Sequence, residues 1–232
     1  MTSAERLNGL SGTATGQRVF RSAIERFAKQ GFAGTTVREI CSDAGLTTAG
    51  AYYYFASKED LLYQLIRQGQ TALIDTAQRA LAGVDDPIDR LALLIRSLAA
   101  THAVFPMLTR VADGELGALA SQGPHLAEIL ALRDAYEGFW EETLAAGVSS
   151  GAFAIADQRV TRLSLIAMCT GVSGWFSPAG PLTVEGVCDE LAQIAFRVVA
   201  ARRGGNAVSV DQTPRFELSL LPQFPWDAEG VS

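Results

Sequence analysis

The sequence predicts an all-α protein. Apolar residues recur at helical spacing over most of the chain, helix caps and glycine or proline stops punctuate the runs, and no convincing strand alternation occurs before residue 206. With 232 residues, 48% of them hydrophobic, the chain has enough material for a sizeable core and is not disordered.

Over Thr15 to Gln30, residues Val19, Phe20, Ala23, Ile24, Phe27 and Ala28 share one helical face, and Gly31 closes the run. Thr36-Val-Arg-Glu39 has the form of a capping box. The Thr36 hydroxyl can accept from the Glu39 amide while the carboxylate reaches back, launching a short helix from Val37 to Ala44. Gly45 supplies the left-handed conformation of a tight turn, and Thr47 or Thr48 caps a third helix of about two turns from Ala49 to Phe55. Ser57 then caps a long helix, with Glu59 and Asp60 at its positive dipole end and Leu61, Leu62, Leu65, Ile66, Leu73, Ile74, Ala77 and Leu81 along its length.

Beyond Gly83 the pattern is that of an apolar helical bundle. Pro87 opens a helix striped by Ile88, Leu91, Leu94, Ile95 and Leu98 that runs to Pro106, and Gly114 and Gly117 predict an irregular stretch after it. Three helices follow, Pro124 to Val148, Gln158 to Phe176 and Val184 to Arg203, with loops at Ser149 to Asp157 and Ser177 to Thr183. Residues 204–232 read as an extended tail. Its Phe216, Leu218, Leu221, Phe224 and Trp226 predict docking on the bundle or on a partner subunit. The predicted organisation is therefore 1–60, 61–203 and 204–232.

The net charge of −6 argues at first against a nucleic-acid partner, but it is unevenly distributed. Residues 1–60 carry seven lysines and arginines against six acids, or +1, which leaves −7 for the remainder. That asymmetry suits a small DNA-facing head on an acidic body. No apolar run reaches membrane-spanning length, and Met1 to Gly12 lacks a signal-peptide pattern, so no membrane association and a cytoplasmic location are expected. Cys41, Cys169 and Cys188 lie in apolar helical patterns and read as buried hydrophobes. A nucleophile elbow, a metal-ligand cluster and a phosphate-cradling glycine loop are all missing, so neither catalysis nor a cofactor is expected.

The segment from Gly45 to Leu62 groups small residues, three consecutive tyrosines and a lysine where a helix can meet DNA. In order along the chain stand the first helix, Gly31-Phe32, Thr35-Thr36, the capped second helix, Gly45-Leu46, the tyrosines ending in Phe55, and Ser57-Lys58-Glu59 before Leu61-Leu62. This set strongly resembles the TetR family of one-component transcriptional regulators over residues 15 to 66. The resemblance implies an N-terminal three-helix helix-turn-helix domain, a C-terminal helical bundle for ligand binding and dimerisation through the last two long helices, and a palindromic double-stranded DNA operator.

In such a head the leading residues of the third helix must be small for its backbone to approach the bases, as Thr47, Thr48, Ala49 and Gly50 are. Tyr52, Tyr53 and Tyr54 span about 200° of a helix, so at least one is exposed. Matching family positions imply that Tyr52 and Tyr54 reach phosphates or base edges, that Tyr53 stacks on sugar and thymine methyl groups, and that Phe55 is core. Lys58 would pair with a phosphate, and Thr36 would share one; Arg38 is read equally as a solvated charge, an ion pair or a phosphate contact. Thr48 stands where the family often has a basic residue, and Ala51 replaces a leucine.

Candidate effector contacts are bulky apolar residues interrupted by single polar ones: Leu98, His102, Phe105, Met107, Tyr136, Trp140, Met168 and Trp175. The apolar members read first as ordinary core, and His102 as readily as a satisfied or exposed histidine. Arg133-Asp-Ala-Tyr136 with Trp140, Gly147 to Phe153 with Asp157, and Trp175-Phe-Ser-Pro-Ala-Gly180 resemble family members that control fatty-acid or sterol-ring catabolism in response to acyl-CoA thioesters. The resemblance implies a small hydrophobic effector of that class. A head acting through protein contacts, and an efflux regulator answering a drug-like ligand, stay open as alternatives.

Overall fold

A computed structural model describes residues 13–224 and 226; the expectations for the N-terminal segment and for the last residues of the tail lie outside them. Helix α1 (Ala14–Gly34) starts at Thr13, whose hydroxyl accepts from the Gly16 amide, and kinks where Gly31 takes φ 74°. Helices α2 (Val37–Asp43) and α3 (Thr48–Ala51) follow. Helix α4 (Lys58–Leu81) begins beside Ser57, whose hydroxyl accepts from the Asp60 amide. Asp86 caps α5 (Pro87–Val104) through the amides of Ile88 and Asp89. After it come α6 (Pro106–Gly114), a 3-10 turn (Leu116–Leu119), α7 (Gly123–Ser149), α8 (Gln158–Thr170), α9 (Val172–Trp175) and α10 (Val184–Val198).

The all-α class holds, with four local departures from expectation. Regular helix in α3 stops at Ala51, and Tyr52 to Tyr54 continue as turns in which the Tyr54 amide bonds to the Ala51 carbonyl at 2.8 Å. Residues 106–114 are helical rather than irregular. Leu108, Val111 and Ala112 bury one face there, while Gly114 and Gly117 fall at or beyond the helix end. The expected helix from Gln158 is divided at Gly171, which ends α8 and opens α9. The final helix ends at Val198 because Ala200 takes φ 49° and the chain turns into an antiparallel hairpin, β1 (Arg202–Arg203) with β2 (Asn206–Ala207), across Gly204 and Gly205. Both of those glycines have positive φ, which suits them to a tight reversal.

Contacts divide the chain into two compact units. The first holds the chain up to Gln70, Met107–Ala131 and, from Gln223 on, the end of the tail; the second holds Thr71–Pro106 and Leu132–Pro222. This grouping differs from the three-part organisation read in the sequence, since the tail belongs partly to each unit.

In the first unit Val19, Phe20, Ala23 and Phe27 of α1 are buried with Ile40 of α2, Phe55, and Leu61, Leu62, Leu65 and Ile66 of α4. In the second, α5 is buried almost throughout and packs against α8, α9 and α10. Leu91, Leu94, Ile95 and Leu98 share its core with Trp140, Leu165, Cys169 and Leu191. The buried Arg96 donates to Asp189 at 2.8 Å, to the Thr213 hydroxyl at 3.0 Å and to the Pro214 carbonyl, which pins the tail to this unit. A buried guanidinium is tolerable only when its donors are satisfied in this way. Burial raises the Cys188 thiol to about 12 and pushes the Cys169 thiol up as well, and all three cysteines are unpaired. Among the described residues no single helix is long and apolar enough to cross a membrane.

The turn after α7 depends on one glycine. The Phe153 ring lies flat in the space that a side chain at position 147 would occupy, and its amide bonds to the Gly147 carbonyl at 2.9 Å. Gly147→Ala forces that buried ring out and should cost about 1–3 kcal/mol, read as a lower urea midpoint at unchanged slope. An unchanged midpoint contradicts this packing.

Candidate nucleic-acid interface

The turn between α2 and α3 is fastened from both sides. At the start of α2 the capping box is complete: the Glu39 amide donates to the Thr36 hydroxyl at 3.2 Å, and the Thr36 amide to the Glu39 carboxylate at 2.8 Å. The Thr36 hydroxyl also donates to that carboxylate at 2.7 Å, and these bonds, helped by Arg26, hold the Glu39 carboxyl below its usual range. At the end of α2, Gly45 takes φ 69°, its amide bonds to the Ser42 carbonyl, and the Leu46 amide reaches the Cys41 carbonyl at 2.8 Å. That is a Schellman closure, and it sends the chain directly into the next helix. Thr47, not Thr48, is the cap of α3, accepting from the Gly50 amide at 3.1 Å.

The resulting surface is small at one end and aromatic at the other. Thr47, Thr48, Ala49 and Gly50 are all exposed, Ala51 is buried, and Phe55 is core as expected. Tyr53 is 74% exposed and Tyr52 55%, while Tyr54 is half-buried with its ring edge-on to Tyr53 at 5.3 Å. Thr36 is exposed beside the turn. The structure thus brings the DNA-facing residues read from the sequence onto one continuous segment, with Thr36 at the start of α2.

Lys58, read in the sequence as a phosphate contact, is held by the protein itself. Its ammonium donates to the carbonyls of Phe32 and Thr35 at 2.8 Å each and sits 4.2 Å above the Phe32 ring, which ties the start of α4 to the end of α1. Two of its three N–H groups are occupied by the protein.

Most of the other described cations of residues 1–60 are also bonded within the protein, which sequence reasoning counted only as charge. Arg18 donates to the Ala44 carbonyl at 3.1 Å, Arg26 pairs with Asp43 at 2.7 Å and Glu39 at 3.2 Å, and Lys29 pairs with Glu25. Arg26 holds the Asp43 carboxyl below its usual range, chiefly through that hydrogen bond. Arg21 donates through Nε and Nη2 to the Trp226 carbonyl. Arg38 is exposed and makes no hydrogen bond or ion pair among the described residues. Helical spacing offered a signal for α1, since residues 18, 22 and 26 fall on one face.

The candidate effector residues divide. Leu98, Tyr136 and Trp140 are buried in one cluster, with Phe105 and Met168 packed against it. His102 is buried beside them, its Nδ1 2.9 Å from the Leu98 carbonyl. Met107 and Trp175 are instead exposed, and Met107 falls in the first unit. Within the buried cluster the Tyr136 hydroxyl and the Trp140 indole nitrogen approach each other without a hydrogen bond of full geometry, neither has another partner, and burial pushes the Tyr136 phenol well above its usual value. Unsatisfied buried donors are rare and costly.

A capped second helix, a Schellman turn and a small-sided third helix define a helix-turn-helix DNA-binding protein. Two family models match the chain, "Bacterial regulatory proteins, tetR family" over residues 19–65 and "Tetracyclin repressor-like, C-terminal domain" over residues 84–199. The transcriptional repressor KstR2 of Mycobacterium tuberculosis is 30% identical over 167 residues, covering 71% of this chain and 82% of that protein. A regulatory protein of the tetR family from Rhodococcus RHA1 superposes with a TM-score of 0.76 at 25% identity, covering 82% of this chain and all of that one. AibR, in complex with isovaleryl coenzyme A and operator DNA, shares the fold at TM-score 0.67 and 24% identity, over 76% of this chain and 95% of its own. The chain belongs to the TetR family: it is a DNA-binding transcriptional regulator and not an enzyme.

Lys58→Met keeps the aliphatic stem but strands the Thr35 carbonyl and takes one of two donors from that of Phe32, and should lower stability by about 1–3 kcal/mol whether or not DNA is present. Thermal unfolding in the absence of DNA measures it. A midpoint equal to that of the natural chain leaves Lys58 with no internal role.

Proposed function

We propose that the protein is a ligand-gated repressor that binds a palindromic operator as a homodimer in the cytoplasm and is released by a small hydrophobic effector, an acyl-CoA thioester of lipid or sterol catabolism. The observation that carries the DNA half is the continuous exposed face formed by Thr47, Thr48, Ala49, Gly50, Tyr52 and Tyr53. The small residues approach base edges, and threonine offers a hydroxyl to a base or phosphate and a methyl to thymine. Tyr53 stacks on sugar and methyl groups, while Tyr52 and Tyr54 reach the backbone. Thr36, Arg38 and the remaining N–H of Lys58 meet phosphates.

The effector half is supported by Tyr136 and Trp140, whose polar atoms lie in an apolar core with only an imperfect approach to each other and are free to serve a carbonyl oxygen. Relatives support the class: the KstR2 proteins are transcriptional repressors, the M. tuberculosis one a ketosteroid transcriptional regulator, and AibR binds isovaleryl coenzyme A. Dimerisation is supported by Val160 and Leu163 of α8, Trp175 of α9, Leu182, and Ile194 and Val198 of α10, which are large apolar residues left exposed on the last helices. Helix α4 contributes residues to both units, so an effector that biases it alters how the two heads meet major grooves about 34 Å apart.

Tyr53→Ala should weaken operator binding about tenfold with unchanged helicity and thermal midpoint, because its ring touches little of the protein. Equal affinity removes Tyr53 from the interface. For the effector, operator affinity is measured with and without a panel of short-chain, long-chain and sterol-derived acyl-CoA thioesters, at least one of which should lower it about tenfold or more. No response across the panel discards the acyl-CoA class.

A further inference from the structure

The matched family segments end at residue 199, so the tail lies outside both. Its end is nevertheless built into the core of the first unit. Trp226 is 2% exposed, and its indole stacks on the fully buried Phe20 of α1, with ring centroids 4.9 Å apart and planes 18° from parallel. Phe224 stacks on the same indole at 4.9 Å and 14°. The Trp226 carbonyl accepts from Arg21 twice, from Nε at 2.8 Å and from Nη2 at 2.6 Å. A forked, charge-assisted grip on one carbonyl fixes the backbone as well as the ring.

The seat lies among the α1 residues that hold the DNA-reading turn. Arg18 bonds to the Ala44 carbonyl at the end of α2, and Ser22 and Arg26 bond to Asp43 one residue earlier. Phe20 and Arg21 stand between them in sequence, on the part of α1 taken by the tail. Any tilt of α1 permitted by loss of the tail displaces those three anchors, and with them the turn that aims α3.

We propose that Trp226 is a positioning residue for operator binding, and that the end of the C-terminal tail is a structural member of the DNA-reading unit that holds α1 in register with the turn. The proposal rests on the DNA-binding reading of this unit and extends it to a segment that a helix-turn-helix alone does not need.

The test compares the natural chain with Trp226→Ala, Trp226→Phe and a chain ending at Pro222. Hydrogen exchange of α1 is followed without DNA, and affinity is measured for a duplex carrying the DNA upstream of the protein's own gene and for a random duplex. Alanine and the truncation should each raise α1 exchange and lower affinity for the upstream duplex about tenfold, with circular dichroism unchanged; phenylalanine should retain most of both. A synthetic peptide of residues 220–232 should restore α1 protection to the truncated chain. Unchanged α1 exchange overturns the proposal, and so does increased exchange with undiminished affinity, which makes the contact structural only. Because exchange is read without DNA, failure of the operator reading shows separately, as a natural chain that does not distinguish the two duplexes.

Discussion

The guanidinium of Arg26, held by Asp43 at 2.7 Å and Glu39 at 3.2 Å, sets α2 against α1, and the DNA-reading surface depends on that attachment. The Glu39 carboxylate simultaneously closes the capping box on Thr36, so one network joins the first helix, the start of the second and its last turn. Arg18 adds the Ala44 carbonyl, and Lys58 brings α4 onto the carbonyls of Phe32 and Thr35 at the end of α1. The consequence is electrostatic. A segment of only +1 formal charge over residues 1–60 has bonded most of its described cations to its own carbonyls and carboxylates, and the face proposed to meet DNA is made of hydroxyls, small side chains and tyrosine rings. The recognition proposed for such a face leans on close backbone approach, methyl contacts and the shape of the duplex more than on a basic side chain reading guanine.

The second unit follows a related rule with a different outcome. Arg96 is buried and has partners on α10 and along the tail, so its charge organises the packing of distant segments. Tyr136 and Trp140 carry polar atoms into the same unit with only an imperfect approach to each other. A satisfied buried cation specifies structure, whereas an unsatisfied buried donor leaves free energy for a ligand to recover.

Much of the head was legible because its signals are local. The Thr36–Glu39 box, the left-handed Gly45 and the Ser57 cap each operate within a few residues, and each stands where the sequence placed it. Thr47 and Thr48 could not be told apart as caps, since the choice depends on which hydroxyl meets the Gly50 amide. The role of Lys58 was hidden because its two carbonyl partners lie on another helix. In the second unit, the glycines near residue 114 masked a helix whose buried face outweighs them, and Ala200, a non-glycine residue at positive φ, gave no warning of the hairpin. The tail's apolar residues announced docking, but its seat on Phe20 and Arg21 is a contact across almost the whole chain. No periodicity encodes such a pairing.

The claim that the DNA-facing surface holds few available cations is tested most directly by the salt dependence of specific binding. Arg38 and the third N–H of Lys58 give two phosphate-neutralising groups per head and four per dimer, which predicts a slope of log affinity against log salt of about −4. Including Arg6 in each head steepens this only to about −5. A titration from low to physiological salt on the upstream duplex should give a slope in that range, with clear preference over random DNA. A slope of about −8 or steeper would require the cations that this structure ties to its own carbonyls and carboxylates, and would contradict the account.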